Sequence, residues 1–185
     1  KGTSSFARWP DARTAGLYLE AIYLLECIAP PHLHVDRFLP PTPLRVLVDH
    51  RGNDTCDSIP PEMLTLRLKS GDAYVLLDRP ELREELLPSL IERAQGIASS
   101  QVPGIIAQAR QAMTAQLEHE IARLQDLRKV NRSVRAEEIE LVAGQQRALD
   151  DHLAGARLRL DAIRLIQRGP PVPDHATAAR GRSES

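Results

Sequence analysis

The chain has 185 residues, of which 42% are hydrophobic and only 3% aromatic, and its formal net charge is −1. This length suits one domain, or one and a fraction. The scarcity of aromatic residues favours a core of Leu, Ile, Val and Ala with helices packed on helices. The balanced charge excludes a strongly basic nucleic-acid-binding domain.

The two cysteines, Cys27 and Cys56, have neither C-x-x-C spacing nor the pattern of a disulfide framework, which favours a reduced compartment. No apolar run reaches the ~20 residues that a membrane span needs, and no signal peptide leads the chain. We therefore expect a cytoplasmic protein without a membrane partner. The first residue is Lys1, which indicates a piece of a longer protein or a trimmed chain.

Residues 1–57 are predicted to be β-rich. Residues 17–26 contain many strand formers, although helical spacing is a competing interpretation of the same run. Residues 40–43 form a rigid Pro-rich turn. A second strand is predicted over residues 44–49, before a turn cluster at 51–54. An antiparallel meander is the simplest arrangement of these strands.

Residues 58–78 are ambiguous, with a turn at 70–72 and a further strand at 73–77 among the alternatives. From Asp78, which could cap a helix, the spacing of apolar residues becomes helical to about Ser99. Pro88 is expected to kink or restart this helix, and Pro103 with Gly104 to start or break it again.

A long helix of roughly 25 residues is predicted to follow, near 40 Å in length. Its buried stripe recurs at three- and four-residue steps: Ile106, Ala109, Met113, Leu117, Ile121 and Leu124. Residues 130–133 are the predicted tip of a helical hairpin, with Ser133 capping the next helix. That helix shows a heptad seam, which indicates an antiparallel, coiled-coil-like partner helix: Ile139, Val142, Gln146, Leu149, Leu153, Ala156 and Leu160.

Residues 157–166 alternate differently and indicate a C-terminal strand that returns to the sheet. The sequence therefore predicts an α+β fold in three parts. Residues 1–78 are a β-rich part with a Pro-rich turn, residues 79–167 a helical hairpin with a terminal strand, and residues 168–185 a flexible tail.

Two clusters resemble metal sites in part. His32, His34 and Asp36 stand at alternate positions and could grip a metal from a strand, but Arg37 follows where the H-x-H-x-D-H motif needs histidine. A second cluster at residues 118–120 lacks the second histidine of H-E-x-x-H, because Arg123 stands there. Polar loop and solvated helix residues are the favoured interpretation of both, and no metal is expected.

Phosphate-binding and nucleophile motifs are absent from the sequence: there is no P-loop, no G-x-G-x-x-G and no G-x-S-x-G. Cys27 lies in an apolar run and is interpreted as a core residue. The cations at the predicted tip, Arg128, Lys129, Arg132 and Arg135, are the remaining candidates. Stabilisation of a helix end is the favoured role for Arg128 and Lys129, and contact with phosphate or an acidic partner is the alternative.

Three stretches of sequence carry a family resemblance. They are residues 37–49 (R-F-L-P-P-T-P-L-R-V-L-V-D), residues 118–131 (E-H-E-I-A-R-L-Q-D-L-R-K-V-N) and residues 158–166 (L-R-L-D-A-I-R-L-I). Their order and spacing resemble the RapA (HepA) family of bacterial RNA-polymerase-associated ATPases, over about residues 15–167. The match is weak between residues 57 and 101 and does not cover the tail after residue 168.

The resemblance implies the C-terminal segment of a Swi/Snf-class, helicase-like ATPase that binds RNA polymerase, as core or holoenzyme, and recycles it. The ATPase lobes, with their ATP and Mg²⁺, would precede this region, so the chain itself is expected to have no cofactor and no catalytic residue. Its expected partners are the polymerase and those lobes, with DNA or RNA as a further possibility. Candidate contact residues are Arg37, Arg45, Arg128, Lys129, Arg132 and Arg135.

Two rival functions remain open at this point. A free-standing coiled-coil adaptor would self-associate through the seam between residues 139 and 160. A metal-dependent hydrolase would use His32, His34 and Asp36.

Overall fold

A computed structural model of the chain describes residues 3–11, 13–71, 80–131 and 133–170. Residues 72–79, which include the predicted cap Asp78 and the possible strand at 73–77, and residues 171–185 of the predicted tail lie outside the described residues. The strands are β1 (Thr3–Pro10), β2 (Gly16–Glu26), β3 (Thr42–Asp49), β4 (Lys69–Ser70) and β5 (Arg157–Gly169). The helices are α1 (Pro61–Arg67), α2 (Leu87–Val130) and α3 (Ala136–Ala154). The predicted α+β class is confirmed.

The chain forms two compact units, and each contains residues from distant parts of the sequence. The first unit comprises the described parts of residues 1–21, 45–95 and 162–185. The second unit comprises the described parts of residues 22–44 and 96–161. The domain boundaries predicted at residues 78 and 167 stay predictions.

The five strands form one sheet in the order β3-β2-β5-β1-β4. The predicted strands at 17–26 and 44–49 and the return strand after residue 157 are confirmed. The purely antiparallel meander needs correction, because β1 runs parallel to β5 along its whole length, from Thr3 opposite Ala162 to Pro10 opposite Gly169. The short strand β4 pairs antiparallel with β1. The sheet is therefore mixed, and its C-terminal strand lies between β2 and β1.

Alternation along β2 shows why residues 17–26 form a strand and not a helix. Leu19, Ala21, Tyr23 and Leu25 are buried at every second position, and this period of two is that of a strand. The residues of β2 on the other face are half-buried or, at Glu20, buried, so both faces of the strand are covered. Residues 58–71, ambiguous in the sequence, contain α1, in which Pro61 takes the first helical position, where proline is favoured.

The core of the first unit gathers residues from four elements and one loop. Trp9 of β1, Leu47 of β3, Leu64 of α1 and Ile166 of β5 are at most 2% exposed and pack together with Ile59. Tyr18, Cys56, Met63 and Leu68 pack around this cluster. The single tryptophan and Tyr18 thus lie where the strands and α1 meet.

A buried carboxylate links the three strands β3, β2 and β5 within the first unit. Glu20 of β2 is 8% exposed. Its Oε1 accepts a hydrogen bond from Arg45 Nε of β3 at 2.8 Å, and its Oε2 lies 3.6 Å from Arg164 Nε of β5. Arg45 Nη2 also donates to the carbonyl of Ile59 at 3.1 Å. The negative charge and its hydrogen-bond acceptors are therefore matched inside the sheet, as a buried carboxylate requires.

A second ionic contact fixes the ends of β1 and β5. Arg168 of β5 lies 4.3 Å from the ring centroid of Trp9 and donates two hydrogen bonds to Asp11 Oδ2, one from Nε at 2.9 Å. Hydrogen bonds from the Arg13 amide and from Arg168 hold the pKa of Asp11 below its ordinary value. This contact stacks a cation on the single tryptophan of the chain.

The outer edge of β3 is covered by the loop that follows it. Thr55 N donates to the carbonyl of Leu47 at 2.7 Å. The Cys56 thiol accepts a hydrogen bond from Leu47 N at 3.1 Å and donates to the carbonyl of Arg45 at 3.5 Å. These bonds occupy backbone groups that an edge strand would otherwise expose to pairing with another chain.

Helix α2 corrects the predicted break at Pro103. The helix runs without interruption from Leu87 to Val130, with Pro103 inside it. The local cost of one proline is offset by burial along the helix, because Ala98, Ala109 and Met113 on its two sides are at most 5% exposed. A π-helical turn at Leu82–Leu86 precedes Leu87, where α2 begins, so the α-helix starts next to Pro88, and a kink there stays a prediction.

Helix α3 begins later and ends earlier than predicted. Its cap is Arg135 and not Ser133, because the Arg135 N–H donates to Glu138 Oε1 at 3.3 Å while the Ser133 N–H donates to Asn131 Oδ1 at 2.9 Å. The seam is also shorter than predicted. Leu149 and Leu153 are fully buried, but the helix ends at Ala154, and Leu160 belongs to β5.

Replacing Glu20 with Gln is expected to destabilise the protein severely. The variant removes the charge that neutralises Arg45, whose side chain is only 17% exposed, and leaves a buried cation without its partner. We expect the free energy of unfolding to fall by about 3–5 kcal/mol, measured by urea denaturation. Glu84→Gln is the control, because the Arg83–Glu84 pair is exposed, and it should change stability by less than ~0.5 kcal/mol. A Glu20→Gln loss as small as that of the control would contradict the structural role of Glu20.

Replacing Pro103 with Ala is expected to stabilise the protein. The substitution restores the backbone N–H that a continuous helix uses. We therefore expect the free energy of unfolding, measured by chemical denaturation, to rise by about 1–3 kcal/mol. Gly104→Ala is a useful comparison, because an added Cβ there meets no atom within 4 Å. It should raise the free energy of unfolding by ~0.5–1 kcal/mol. If α2 were broken at Pro103, neither change would increase stability.

Candidate partner-contact surface

Helices α2 and α3 contact each other within the second unit. Arg110 of α2 donates hydrogen bonds from Nε and Nη2 to the two carboxylate oxygens of Asp150 in α3. Further along, Leu117 of α2 and Val142 of α3 line one cavity, and Arg128 and Ile139 line another. As the α2 residue number rises, the α3 partner's number falls, so the two helices run in opposite directions.

The connection between the two helices is short and locally hydrogen-bonded. Asn131 N donates to the carbonyl of Leu127 at 2.8 Å and so continues the last turn of α2. The Asn131 side chain then accepts from Ser133 N, and Val134 N donates to the Asn131 carbonyl at 3.3 Å. These bonds are those of an Asx-type turn, which reverses the chain before Arg135.

The surface around this connection combines exposed apolar side chains with cations. Val130 is 84% exposed and Leu141 74% exposed, and Leu127 is 38% exposed. The cations Arg128, Lys129 and Arg135 of the same segment are exposed. A cavity of about 560 Å³ lies between Arg128 and Lys129 on one side and Ala136, Ile139 and Glu140 on the other, with Gln125 at its end. We call this set, from Gln125 to Leu141, the α2–α3 turn surface.

The apolar part of the turn surface was not predicted from the sequence, which drew attention to the cations alone. The signal was present: Val130 lies six residues beyond Leu124, the last residue of the buried stripe, and so cannot share its face. Leu141 is likewise outside the seam. Leu127 and Val130 line one cavity together, and neighbouring exposed apolar residues are a mark of interaction surfaces, whereas single ones are ordinary.

The cations predicted as contact residues differ in whether they are paired within the protein. Arg128 and Arg135 form no ion pair within the described part of the chain, whereas Lys129 Nζ contacts Asp126 Oδ1 at 2.8 Å on the exposed surface. Arg132 lies outside the described residues. Arg45, also predicted as a contact residue, donates hydrogen bonds to Glu20 and to the Ile59 carbonyl inside the sheet, and its role in partner contact stays a prediction.

Arg37 lies at a separate groove of the second unit. Its guanidinium stacks on the Phe38 ring at 5.6 Å from the centroid, and its side chain is exposed. The groove has a volume of about 670 Å³ and is also lined by Gln116, Leu117 and Glu120 of α2 and by Gln145 of α3. We call it the Arg37 groove.

The possible metal cluster at residues 32–36 does not lie on a strand. His32 belongs to a 3₁₀ turn at Pro31–Leu33, Asp36 to another at Val35–Arg37, and His34 joins the two turns with a φ of 49°. Residues at alternate positions of two 3₁₀ turns do not share one face, so the premise of the metal interpretation is wrong. Among the described residues, no three His, Cys, Asp or Glu side chains are grouped so that they could hold a metal ion.

The cluster at residues 118–120 lies on the surface of α2. Glu120 accepts two hydrogen bonds from Arg123, at 2.9 Å from Nε and 2.6 Å from Nη2. This contact lowers the pKa of Glu120 below its ordinary value, so the carboxylate is charged and paired. His119 beside it is exposed.

Cys27 is held by a backbone contact. Its thiol donates to the carbonyl of His152 at 3.0 Å, and burial raises its pKa above the ordinary value. A thiol with a raised pKa has less thiolate at neutral pH, which is the opposite of an activated nucleophile. The contact ties the end of α3 to the residues that follow β2.

Comparison with known proteins identifies the kind of protein that this chain resembles. The model of the RNA polymerase recycling family, C-terminal, matches residues 1–167. RNA polymerase-associated protein RapA from Haemophilus influenzae strain PittEE is 37% identical over 150 residues, and so is the protein of the same name from strain Rd. Each alignment covers 81% of this chain and 16% of the relative, so the chain spans about one sixth of the length of these curated relatives. The resemblance read from the three stretches of sequence is confirmed.

No helix in the described ranges is both long and apolar enough to cross a membrane.

Replacing Asp150 with Asn is expected to make the contact between α2 and α3 weaker at neutral pH only. The hydrogen bonds from Arg110 lower the pKa of Asp150, so the folded state favours the charged carboxylate. The stabilisation is present above the ordinary aspartate pKa and is lost as the pH falls through the lowered value. Thermal denaturation should therefore show a lower Tm for Asp150→Asn at about pH 6 and a smaller difference from wild type at about pH 3.

Asp151→Asn is the matched control, because Asp151 is the next residue, is exposed and is not hydrogen-bonded to Arg110. Asp151 attracts Arg110 only through its charge, so Asp151→Asn should lower the Tm much less than Asp150→Asn at about pH 6. An equal Tm for Asp150→Asn and wild type at about pH 6 would show that Asp150 does not hold the helices together.

Proposed function

The chain belongs to the RNA polymerase recycling family, C-terminal, and on that premise we propose that it is the non-catalytic C-terminal segment of an ATP-dependent RNA polymerase recycling factor. It acts by contact with protein partners in the regulation of transcription. The partners are RNA polymerase, as core or holoenzyme, and the ATPase lobes of the same full-length protein. ATP and Mg²⁺ bind in those lobes and not in this segment.

The relatives provide the main support for this proposal. Both are named as RNA polymerase-associated proteins, and 81% of this chain aligns with 16% of each of them. The remaining length of such a protein is ample for a motor. A segment of this size within it supplies binding surfaces for the motor and its target.

The α2–α3 turn surface is the proposed contact with the polymerase. A protein interface combines apolar side chains at its centre with charged ones at its rim. Val130 and Leu141, at 84% and 74% exposure, supply the apolar part, and Arg128 and Arg135 supply charges without ion-pair partners among the described residues. Burying these side chains against a partner is favourable because it removes apolar area from water.

Contact with DNA or RNA at this surface is disfavoured by the charges of α3. Glu137, Glu138 and Glu140 are exposed in its first turns. Carboxylates there repel a phosphate backbone, whereas the apolar side chains gain nothing from it. A protein surface that offers apolar residues together with charges of both signs accommodates the cations, the carboxylates and the apolar side chains.

The test is a pull-down of purified bacterial RNA polymerase with the immobilised chain. We expect binding by the wild-type chain and a loss of about tenfold or more for the double variant Arg128→Glu with Arg135→Glu, since reversing rim charges disrupts complementarity. Leu141→Asp should weaken binding as well. Arg147→Glu is the matched control, because Arg147 is an exposed arginine on α3 outside the turn surface, and it should bind like wild type.

Two further outcomes bear on the proposal. If the full-length protein with the double variant still binds and recycles polymerase like wild type, the turn surface is not the contact. If light scattering shows a stable dimer that Leu141→Asp dissolves, the chain is instead a coiled-coil adaptor that self-associates.

A further inference from the structure

We propose that the Arg37 groove is a second docking site, which binds an acidic and apolar peptide segment of a partner protein. The groove lies within the second unit, apart from the α2–α3 turn surface. The proposal does not depend on RNA polymerase being the partner.

The backbone that carries Arg37 is strained and firmly anchored. His34 is the single non-glycine residue with positive φ in the described part of the chain, at 49°. Leu33 and Val35 on either side are 6% and 8% exposed, and both 3₁₀ turns pack against α3. Strain of this kind persists where the surrounding structure fixes it, and it concentrates at functional positions. The result is a fixed backbone position from which the exposed side chain of Arg37 extends.

The charge of Arg37 is left without a partner inside the groove. Glu120 is the carboxylate among the lining residues, and Arg123 already holds it with two hydrogen bonds. No ion pair involves Arg37 within the described residues, and its guanidinium instead lies over the Phe38 ring. The stack keeps the planar guanidinium in place while its N–H groups stay available, which favours bidentate capture of a carboxylate.

The rest of the groove suits a peptide. Leu117, at 7% exposure, and half-buried Val142 supply an apolar floor. Gln116 and Gln145 place one side-chain amide on each helix wall, and these can donate to and accept from a peptide backbone. A volume of about 670 Å³ is within the range of sites that enclose a small ligand or a few side chains.

The same residues argue against a nucleic acid in this groove. Arg37 is the single arginine or lysine that lines the groove, so a chain of phosphates would find one such cation there, whereas nucleic-acid binding draws its affinity from many. A peptide with one or two carboxylates between apolar side chains matches both the cation and the apolar floor.

The probe is an eight-residue peptide of alternating Leu and Glu, acetylated and amidated, with a fluorescent label. Anisotropy with the full 185-residue chain should show saturable binding, which weakens at least about tenfold when Gln replaces Glu in the peptide. Arg37→Gln should cause a similar loss. Arg37→Lys should retain part of the affinity, because it keeps the charge but loses the planar fork.

The controls decide what the binding means. Arg147→Gln, an exposed arginine of α3 elsewhere, should leave peptide affinity unchanged, and circular dichroism should show that every variant is folded. Equal binding of the Glu and Gln peptides, or no effect of Arg37→Gln, would overturn the proposal. So would a short single-stranded DNA that competes with the peptide at equal concentration.

Discussion

Glu20 carries a negative charge into the sheet at 8% exposure, and three strands must be in register to neutralise it. Arg45 approaches it from β3 and Arg164 from β5. A slip of one residue in either neighbouring strand would turn its arginine to the opposite face and leave the carboxylate unpaired. The hydrophobic core around Trp9 and Ile166 would tolerate a change of side chain more readily than this pairing would tolerate a change of register.

Much of the local structure could be predicted from the sequence, whereas the long-range pairing could not. The strand formers of residues 17–26 and the change of pattern after Arg157 predicted strands close to those observed. The parallel pairing of β1 with β5 joins residues more than 150 positions apart, and no local pattern reports on it. The helix break predicted at Pro103 was also wrong because of tertiary structure: burial along α2 outweighs the local free-energy cost of one proline.

The contact residues divide in the same way. Sequence alone could identify Arg37, Arg128 and Arg135 as cations, but only the fold shows which charges are already paired. Arg45 looks equivalent to them in the sequence, but its guanidinium forms an ion pair with Glu20. The exposed Val130 was overlooked because hydrophobic residues are assigned to a core by default, and its exposure follows from where the α2 stripe ends.

The position of β5 constrains how the protein is made. A ribosome releases the chain from its N-terminus, so β1 emerges long before the strand beside which it finally lies. The backbone N–H and C=O groups of β1 that bond to β5 have no partner in that strand until residues 162–169 leave the exit tunnel. A premature stop before Ile166, which is fully buried, would therefore remove the middle of the sheet and not a dispensable end. Such truncated products are expected to be cleared by proteases or chaperones.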